Sequence, residues 1–300
     1  MVVPVIVRSP AKINVQLSVG PLRADGYHEL ISVFQAVSLN DVVTASEGSG
    51  VSLSMMGEGA ESLPVDDTNL AVRAAHALAQ YAKVDANVSL HIEKSIPIAG
   101  GMAGGSTDAA GTLVACDALW ETGLTRDQLA EIGAQLGSDV PFALFGGNAI
   151  GRGRGEQIMP VLGRGQFHWV FAFADEGLST PAVYQQCDRL READEVPEPY
   201  VSDLLVQALR AGDPELLAGA LHNDLQPAAI SLRPSLRTLL EAGVEYGALA
   251  GMVSGSGPTC AFLCRDSEHS IDVAVALTAT GMCRTVKRGT GPSPGARIEQ

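Results

Sequence analysis

The chain has 300 residues, 46% of them hydrophobic and 18% charged, with 33 glycines and 16 prolines. That composition excludes collagen-like, coiled-coil and disordered classes, and the length is enough for real hydrophobic cores in about two domains. The formal charge of −14 excludes a protein that holds nucleic acid or an anionic membrane through a basic surface, although a few local cations can still hold a small anion.

The opening Val2–Val7 is apolar but short, broken by Pro4 and without a basic flank, and no run reaches the roughly 20 apolar residues of a membrane span, so a soluble cytoplasmic protein is expected. Ile13, Val15, Leu17 and Val19 alternate at period two and predict a strand with one apolar face; Val51, Leu53 and Met55, and then Val88, Leu90 and Ile92, do the same. Between the last two lies a helical stripe of Leu70, Ala71, Ala74, Ala75, Leu78 and Ala79, with Asp67 or Thr68 as its cap. A second helix follows Ser106, with Ala109, Ala110, Leu113 and Val114 facing inward, and a third starts near Thr125.

The glycine-rich stretch Gly146–Gly155, which carries Arg152 and Arg154, lacks the strand-before, helix-after setting of a dinucleotide loop and reads as a hairpin or domain connection. The pattern restarts with the apolar run Trp169–Phe173, and Thr180 before Pro181 reads as an N-cap. Helices are expected near 203–211, 213–221, 235–242 and 268–280, and strands near 259–263 and 283–287. The Gly- and Pro-rich tail, 288–300, is expected to fray. A break near 150–165 divides the chain into domains 1–160 and 161–300. Cys116, Cys187, Cys260, Cys264 and Cys283 are odd in number and irregularly spaced, which suits plain thiols rather than disulfides or a zinc site.

The most informative segment is Pro97, Ile98, Ala99, Gly100, Gly101, Met102, Ala103, Gly104, Gly105, Ser106 and Thr107, between a strand and a helix. Four glycines in six residues remove Cβ atoms and let backbone N–H groups approach an anion. The helix N-terminus favours phosphate, and the hydroxyl of Ser106 or Thr107 can touch a phosphate-bound Mg²⁺. It is not a Walker A loop, since Ser106 follows Gly105 where that motif requires lysine.

This loop resembles the second motif of the GHMP kinase superfamily, and other segments agree. They are Ser9-Pro-Ala-Lys-Ile-Asn14, Arg23-Ala-Asp-Gly-Tyr-His28, Gly137-Ser-Asp-Val-Pro141 and the third glycine motif, Val253-Ser-Gly-Ser-Gly-Pro258. The S-P-A-K-I-N and R-A-D-G-Y-H pair is narrower than the superfamily. It is similar to the branch acting on 4-diphosphocytidyl-2-C-methyl-D-erythritol. The matches run from residue 9 to 258 in the expected order.

The resemblance implies an α+β, two-domain fold: an N-terminal α/β sandwich like that of a ribosomal protein domain, a ferredoxin-like C-terminal domain, and an active site in the cleft between them. It implies ATP-dependent phosphorylation of the substrate's 2-hydroxyl, giving the 2-phosphate and ADP, in non-mevalonate isoprenoid precursor synthesis. The small-molecule partner would be this cytidine diphosphate-linked methylerythritol, with ATP and Mg²⁺. Asp139 alone is a loop acid that could cap a turn beside Pro141; the resemblance makes it the acceptor of the hydroxyl proton, with Lys12 beside it. It further implies that Pro97 to Thr107 wrap the triphosphate and that Asn69, Leu70 and Lys94 lie near the adenine. Tyr27 and His28 would hold the cytosine, one by stacking and one by hydrogen bonds, with Tyr184 as second stacking ring. Asn14, Thr180, Gly255, Ser256 and Gly257 would contact or support the substrate chain. The rival expectations are another GHMP small-molecule kinase, of mevalonate or homoserine type, and a non-catalytic nucleotide-binding sensor of the same fold.

Overall fold

The computed structural model describes residues 3–98 and 100–299, so Ala99 of the glycine loop lies outside the described residues. The first half of the chain runs β1 (Val5–Leu22), β2 (His28–Ser46), β3 (Val51–Gly57), α1 (Leu70–Ala82), β4 (Val88–Lys94), α2 (Gly104–Leu119), α3 (Arg126–Leu136), α4 (Val140–Phe145), β5 (Asn148–Gly153) and β6 (Gln157–Val161). The second runs β7 (Phe167–Phe173), α5 (Thr180–Leu190), α6 (Asp203–Ala211), α7 (Pro214–Ala218), β8 (His222–Asn223), α8 (Gln226–Leu232), α9 (Ser235–Glu245), β9 (Ala250–Val253), β10 (Cys260–Cys264), α10 (Ser267–Thr280), β11 (Thr285–Gly291) and β12 (Arg297–Ile298).

The larger sheet has the order β12-β1-β2-β4-β3, with β5 and β6 continuing from β2 and β8 parallel to β1. The smaller sheet, β11-β7-β10-β9, is antiparallel throughout. Numbered along the chain, its strands lie in the order 4-1-3-2 with helices in the two crossovers, which is the ferredoxin-like arrangement. Helices α1 to α4 cover one face of the larger sheet through Ala71, Leu78, Leu113, Ile132 and Leu144. Ile13, Val15 and Val33 of the larger sheet share a second core with Phe167, Trp169, Phe171 and Leu263 of the smaller one. The alternate side chains of those strands, Val170, Ala172 and Phe262, turn to a third core under α5, α8, α9 and α10. Both faces of β7 and β10 are therefore buried, which explains their continuous apolar runs.

Several expectations need correcting. Strand β1 extends well beyond 13–19 because its polar face is buried as well: Lys12, Asn14, Gln16 and Ser18 are all inside. The cap of α1 is Asn69, whose Oδ1 accepts from Ala71 N at 2.8 Å; Asp66 instead folds back on Thr68. Helix α2 begins at Gly104, two residues before Ser106. Ser179 occupies the N-cap position of α5, which makes Thr180 the first helical residue. The tail does not fray: β11 reaches Gly291, β12 pairs with β1, and the Ala296 N–H donates to Ala143 O at 2.9 Å. Its glycines serve close approach, since a Cβ on Gly295 would strike the Leu144 carbonyl. The stretch 146–155 forms the β5–β6 hairpin, and among the described residues no helix is long and apolar enough to cross a membrane.

Candidate active site

Strand β1 carries Lys12 and Asn14 on the face opposite Ile13 and Val15, as its alternation requires. Lys12 Nζ donates to Asn14 Oδ1 at 2.8 Å, and Asn14 Nδ2 donates to Ser32 Oγ at 2.7 Å, which fixes the lysine in place. Nζ also stands 3.6 Å from Asp139 Oδ2 and 5.3 Å from the centroid of the Phe34 ring. Asp139 precedes α4, yet its side chain makes no capping hydrogen bond. The bland reading of Asp139 as a turn cap therefore fails, and its partly exposed carboxylate is free for the cleft. Lys12, Asp139, Asn14, Gly101, Ala103, Thr180, Tyr184, Gly255 and Ser256 line one cavity of about 290 Å³.

A second cavity, of about 390 Å³, opens over the glycine loop. Pro97, Ile98, Gly100 to Ser106, Asn69, Leu70 and Lys94 line it. The loop is held from behind: Lys12 N donates to Met102 O at 3.3 Å, and Ser254 Oγ donates to Gly101 O at 3.3 Å. Gly101 has φ +73, and a Cβ there would collide with the Ser254 carbonyl. Met102 contributes only main chain, because its side chain is in the shared core.

The two hydroxyls separate. Thr107 is buried and donates to Pro10 O at 2.9 Å, so it faces away from the cavity. Ser106 faces it and makes no hydrogen bond among the described residues. Lys94 lines the floor, but its ammonium is taken by Asp41 at 2.5 Å and Asp108 at 2.6 Å. Burial opposes that charge, yet the two carboxylates outweigh it and raise the Lys94 pKa.

A third cavity, of about 660 Å³, continues from the first and is lined by Tyr27, His28, Leu136, Thr180, Pro181 and Tyr184. Tyr27 sits at the end of a tight turn in which Gly26 adopts φ +82 and Asp25 Oδ1 accepts from Tyr27 N. His28 and Tyr184 stack at 5.4 Å between centroids, with planes 26° apart. Burial, with Asp139's charge adding to it, pushes the Tyr184 phenol up, so the ring stays neutral. One nitrogen of the His28 ring is already engaged by the main chain. Its Nδ1 donates to Gly20 O at 2.9 Å, and its Nε2, 3.3 Å from Asp188 Oδ1, lies on the side of the aromatic cavity.

The second glycine turn meets the first. Gly255 has φ +57, and its missing Cβ would lie 3.1 Å from Asn14 Oδ1. Thr180 Oγ1 and Ser256 Oγ are 2.9 Å apart, so the threonine contacts that turn and does not cap α5. Gly257 is behind the cavity, against Val253 and Leu178. The sequence reading missed Asn223 as a support for this turn. Its Nδ2 donates to both Val253 O and Gly255 O at 2.8 Å, and β8 docks it beside Leu17 of β1. Ser138 and Phe34 were missed too, because nothing in their spacing sets them apart.

Residues 69–147 match the GHMP kinases N terminal domain and 205–281 the GHMP kinases C terminal domain. The chain is 56% identical over 297 residues to 4-diphosphocytidyl-2-C-methyl-D-erythritol kinase of Salinispora arenicola, covering 98% of this chain and 94% of that one. The chain belongs to the 4-diphosphocytidyl-2-C-methyl-D-erythritol kinase family of the GHMP kinases. A crystal structure of 4-(cytidine 5'-diphospho)-2C-methyl-D-erythritol kinase superposes with a TM-score of 0.80 at 31% identity, over 96% of this chain and 99% of that one. Homoserine kinase from Cytophaga hutchinsonii shares the fold at a TM-score of 0.75 and 17% identity, covering 100% of this chain and 98% of that one. The two-domain α+β arrangement implied by the motifs is thus the fold of this family, and an ATP-using small-molecule kinase is the class it represents.

Proposed function

We propose that the chain transfers the γ-phosphoryl group of ATP to the 2-hydroxyl of 4-diphosphocytidyl-2-C-methyl-D-erythritol, giving the 2-phosphate and ADP for non-mevalonate isoprenoid synthesis. The observation that carries this reading is the Lys12–Asp139 pair, 3.6 Å apart, in a cavity bordered by the glycine loop on one side and the aromatic recess on the other. The cytoplasm is its place of action, and its units are 1–160 and 161–300, a division that falls just before Val161, the last residue of β6.

In this reading Asp139 accepts the alcohol's proton as the new O–P bond forms and the bond to the β-phosphate oxygen breaks. Phosphoryl transfer passes through a loose transition state, so aiming the hydroxyl matters as much as basicity. Lys12, held by Asn14, presents its ammonium to the γ-phosphoryl oxygens. The main-chain N–H groups of 100–106 at the head of α2 receive the triphosphate. Tyr27 and the stacked His28–Tyr184 pair take the cytosine by their faces.

The residues present suit Mg²⁺. That ion keeps several waters and phosphate oxygens and needs one or two protein oxygens, and the unengaged Ser106 hydroxyl supplies one. When bound, Mg²⁺ neutralises charge on the triphosphate.

The test is ADP release by the purified protein with ATP, Mg²⁺ and a panel of alcohols. Turnover with the cytidine-bearing alcohol and none with mevalonate or homoserine is expected. Turnover confined to a plain alcohol overturns the reading.

A further inference from the structure

Arg154 stands at the tip of the β5–β6 hairpin, in the stretch whose glycines predicted a hairpin or domain connection and no ligand loop. Gly153 and Gly155, at φ +72 and +102, shape the tip, and the Arg154 N–H donates to Glu156 Oε2 at 2.7 Å. The guanidinium is thereby brought to 4.9 Å from the centroid of the Tyr27 ring. Arg23, Arg191, Arg233 and Arg284 each pair with a carboxylate. Arg154 forms no ion pair among the described residues. It also borders two cavities at once. Leu30, Ser138, Arg154, Thr180 and Tyr184 line both the Lys12–Asp139 cavity and the aromatic one, and Arg154 is the cation among them.

We propose that Arg154 is the residue that binds the diphosphate of the nucleotide-linked substrate and so sets the preference for a nucleoside diphosphate ester over a plain alcohol. The inference rests on the function proposed above, with cytidine in the aromatic cavity and the alcohol at Asp139. A molecule spanning those points carries its diphosphate between them, across the boundary where the cavities meet. The other charges facing that route are the carboxylates of Asp188 at one end and Asp139 at the other, with Lys12 committed beside Asp139. Without a cation at the boundary, a dianionic linker would cross negative ground. A guanidinium suits this position because its planar fork matches phosphate oxygens two at a time. Its place over the Tyr27 ring, 4.9 Å from the centroid, holds the guanidinium at the boundary, and no carboxylate among the described residues takes its N–H groups.

The experiment compares the parent with Arg154→Met and Arg154→Lys, in steady-state kinetics and in competition by CDP and by cytidine. In Arg154→Met the KM for the cytidine substrate should rise about 10- to 100-fold, the size of one lost charge-assisted contact. The KM for ATP should hold within about twofold, since the loss is confined to one ligand. CDP should compete better than cytidine against the parent, and that preference should collapse in Arg154→Met while cytidine competes as before. Arg154→Lys should recover part of it, because charge returns without the fork. An unchanged CDP preference in Arg154→Met overturns the assignment, and so does an equal loss of CDP and cytidine, which would mean that Arg154 merely props Tyr27. If the parent ignores the cytidine substrate altogether, the proposed function falls and this assignment with it. If the parent turns it over and Arg154→Met retains its CDP preference, the assignment of Arg154 falls alone.

Discussion

At the head of α2 the cleft is walled by main chain. Gly100, Gly101, Gly104 and Gly105 bare their amides, and the Ser254–Gly257 turn packs against them backbone to backbone. At the other end it is walled by side chains: Tyr27, the His28–Tyr184 stack and Arg154. The first construction is indifferent to side-chain chemistry and, at Gly100 and Gly101, intolerant of one added carbon. The second tolerates change in shape but draws its selectivity from particular rings and one charge.

The largest effect is expected where the two regions meet. Asp139→Asn should lower kcat by about 10²- to 10⁴-fold, the usual worth of a positioned acid–base group, while titration calorimetry shows both ligands still binding; turnover near the parent's would remove Asp139 from the chemistry. Gly101→Ala tests the main-chain end. Alanine must hold φ +73 against the Ser254 carbonyl, so about 1–3 kcal/mol of strain should appear as a raised KM for ATP and a lower melting temperature. A loss in cytidine affinity instead of ATP affinity would contradict the division of labour. Tyr184→Ala tests the side-chain end and should raise the KM for the cytidine substrate about tenfold, the worth of one stacked ring, leaving ATP untouched. Tyr184→Phe should behave as the parent with an unaltered pH profile, because the phenol is pushed above the working range by burial and by Asp139.

A modest effect on stability concerns the floor of the nucleotide cavity. Two buried carboxylates share Lys94, and Asp108 Oδ1 has no partner among the described residues. Burial drives the Asp108 pKa well up, against the pull of Lys94 and with the push of Asp41. A carboxyl raised on folding binds more protons folded than unfolded, so its contribution to stability falls as pH rises through that gap. Asp108→Asn should therefore be the more stable protein at pH 8, by about 1 kcal/mol or about 2 °C in melting temperature. The advantage should shrink towards pH 5; a variant that melts lower at pH 8 would show that the ionised carboxylate is needed.

What was legible in the sequence follows the same contrast. The glycine loop between a strand and a helix, the β1 alternation and the start of α3 near Thr125 are local patterns, and each lies where its spacing placed it. Strand β2 was not legible. Gln35 and Asp41 interrupt its apolar pattern, yet both are buried because partners far along the chain satisfy them: Asn148 and Trp169 for Gln35, the 94–96 segment for Asp41. The buried pairing of Lys94 was not legible for the same reason, since Asp41 lies 53 residues away and no periodicity records such a pairing. Three capping residues in a row, Asp67, Thr68 and Asn69, satisfy the same local rule, and only the fold of the preceding turn selects Asn69. In the tail, glycine and proline suggested freedom where they permit close packing.

The aromatic core held in common by the two sheets, around Trp169, Phe171 and Ile13, makes each half of the molecule the other's lining. Neither can melt alone without wetting that surface, so a calorimetric scan should show one peak. Deuterium uptake at the amides of β7 and β10 should wait for complete opening of the chain. The groove between the halves inherits this stiffness: its width is set by packed rings and does not depend on an articulated joint.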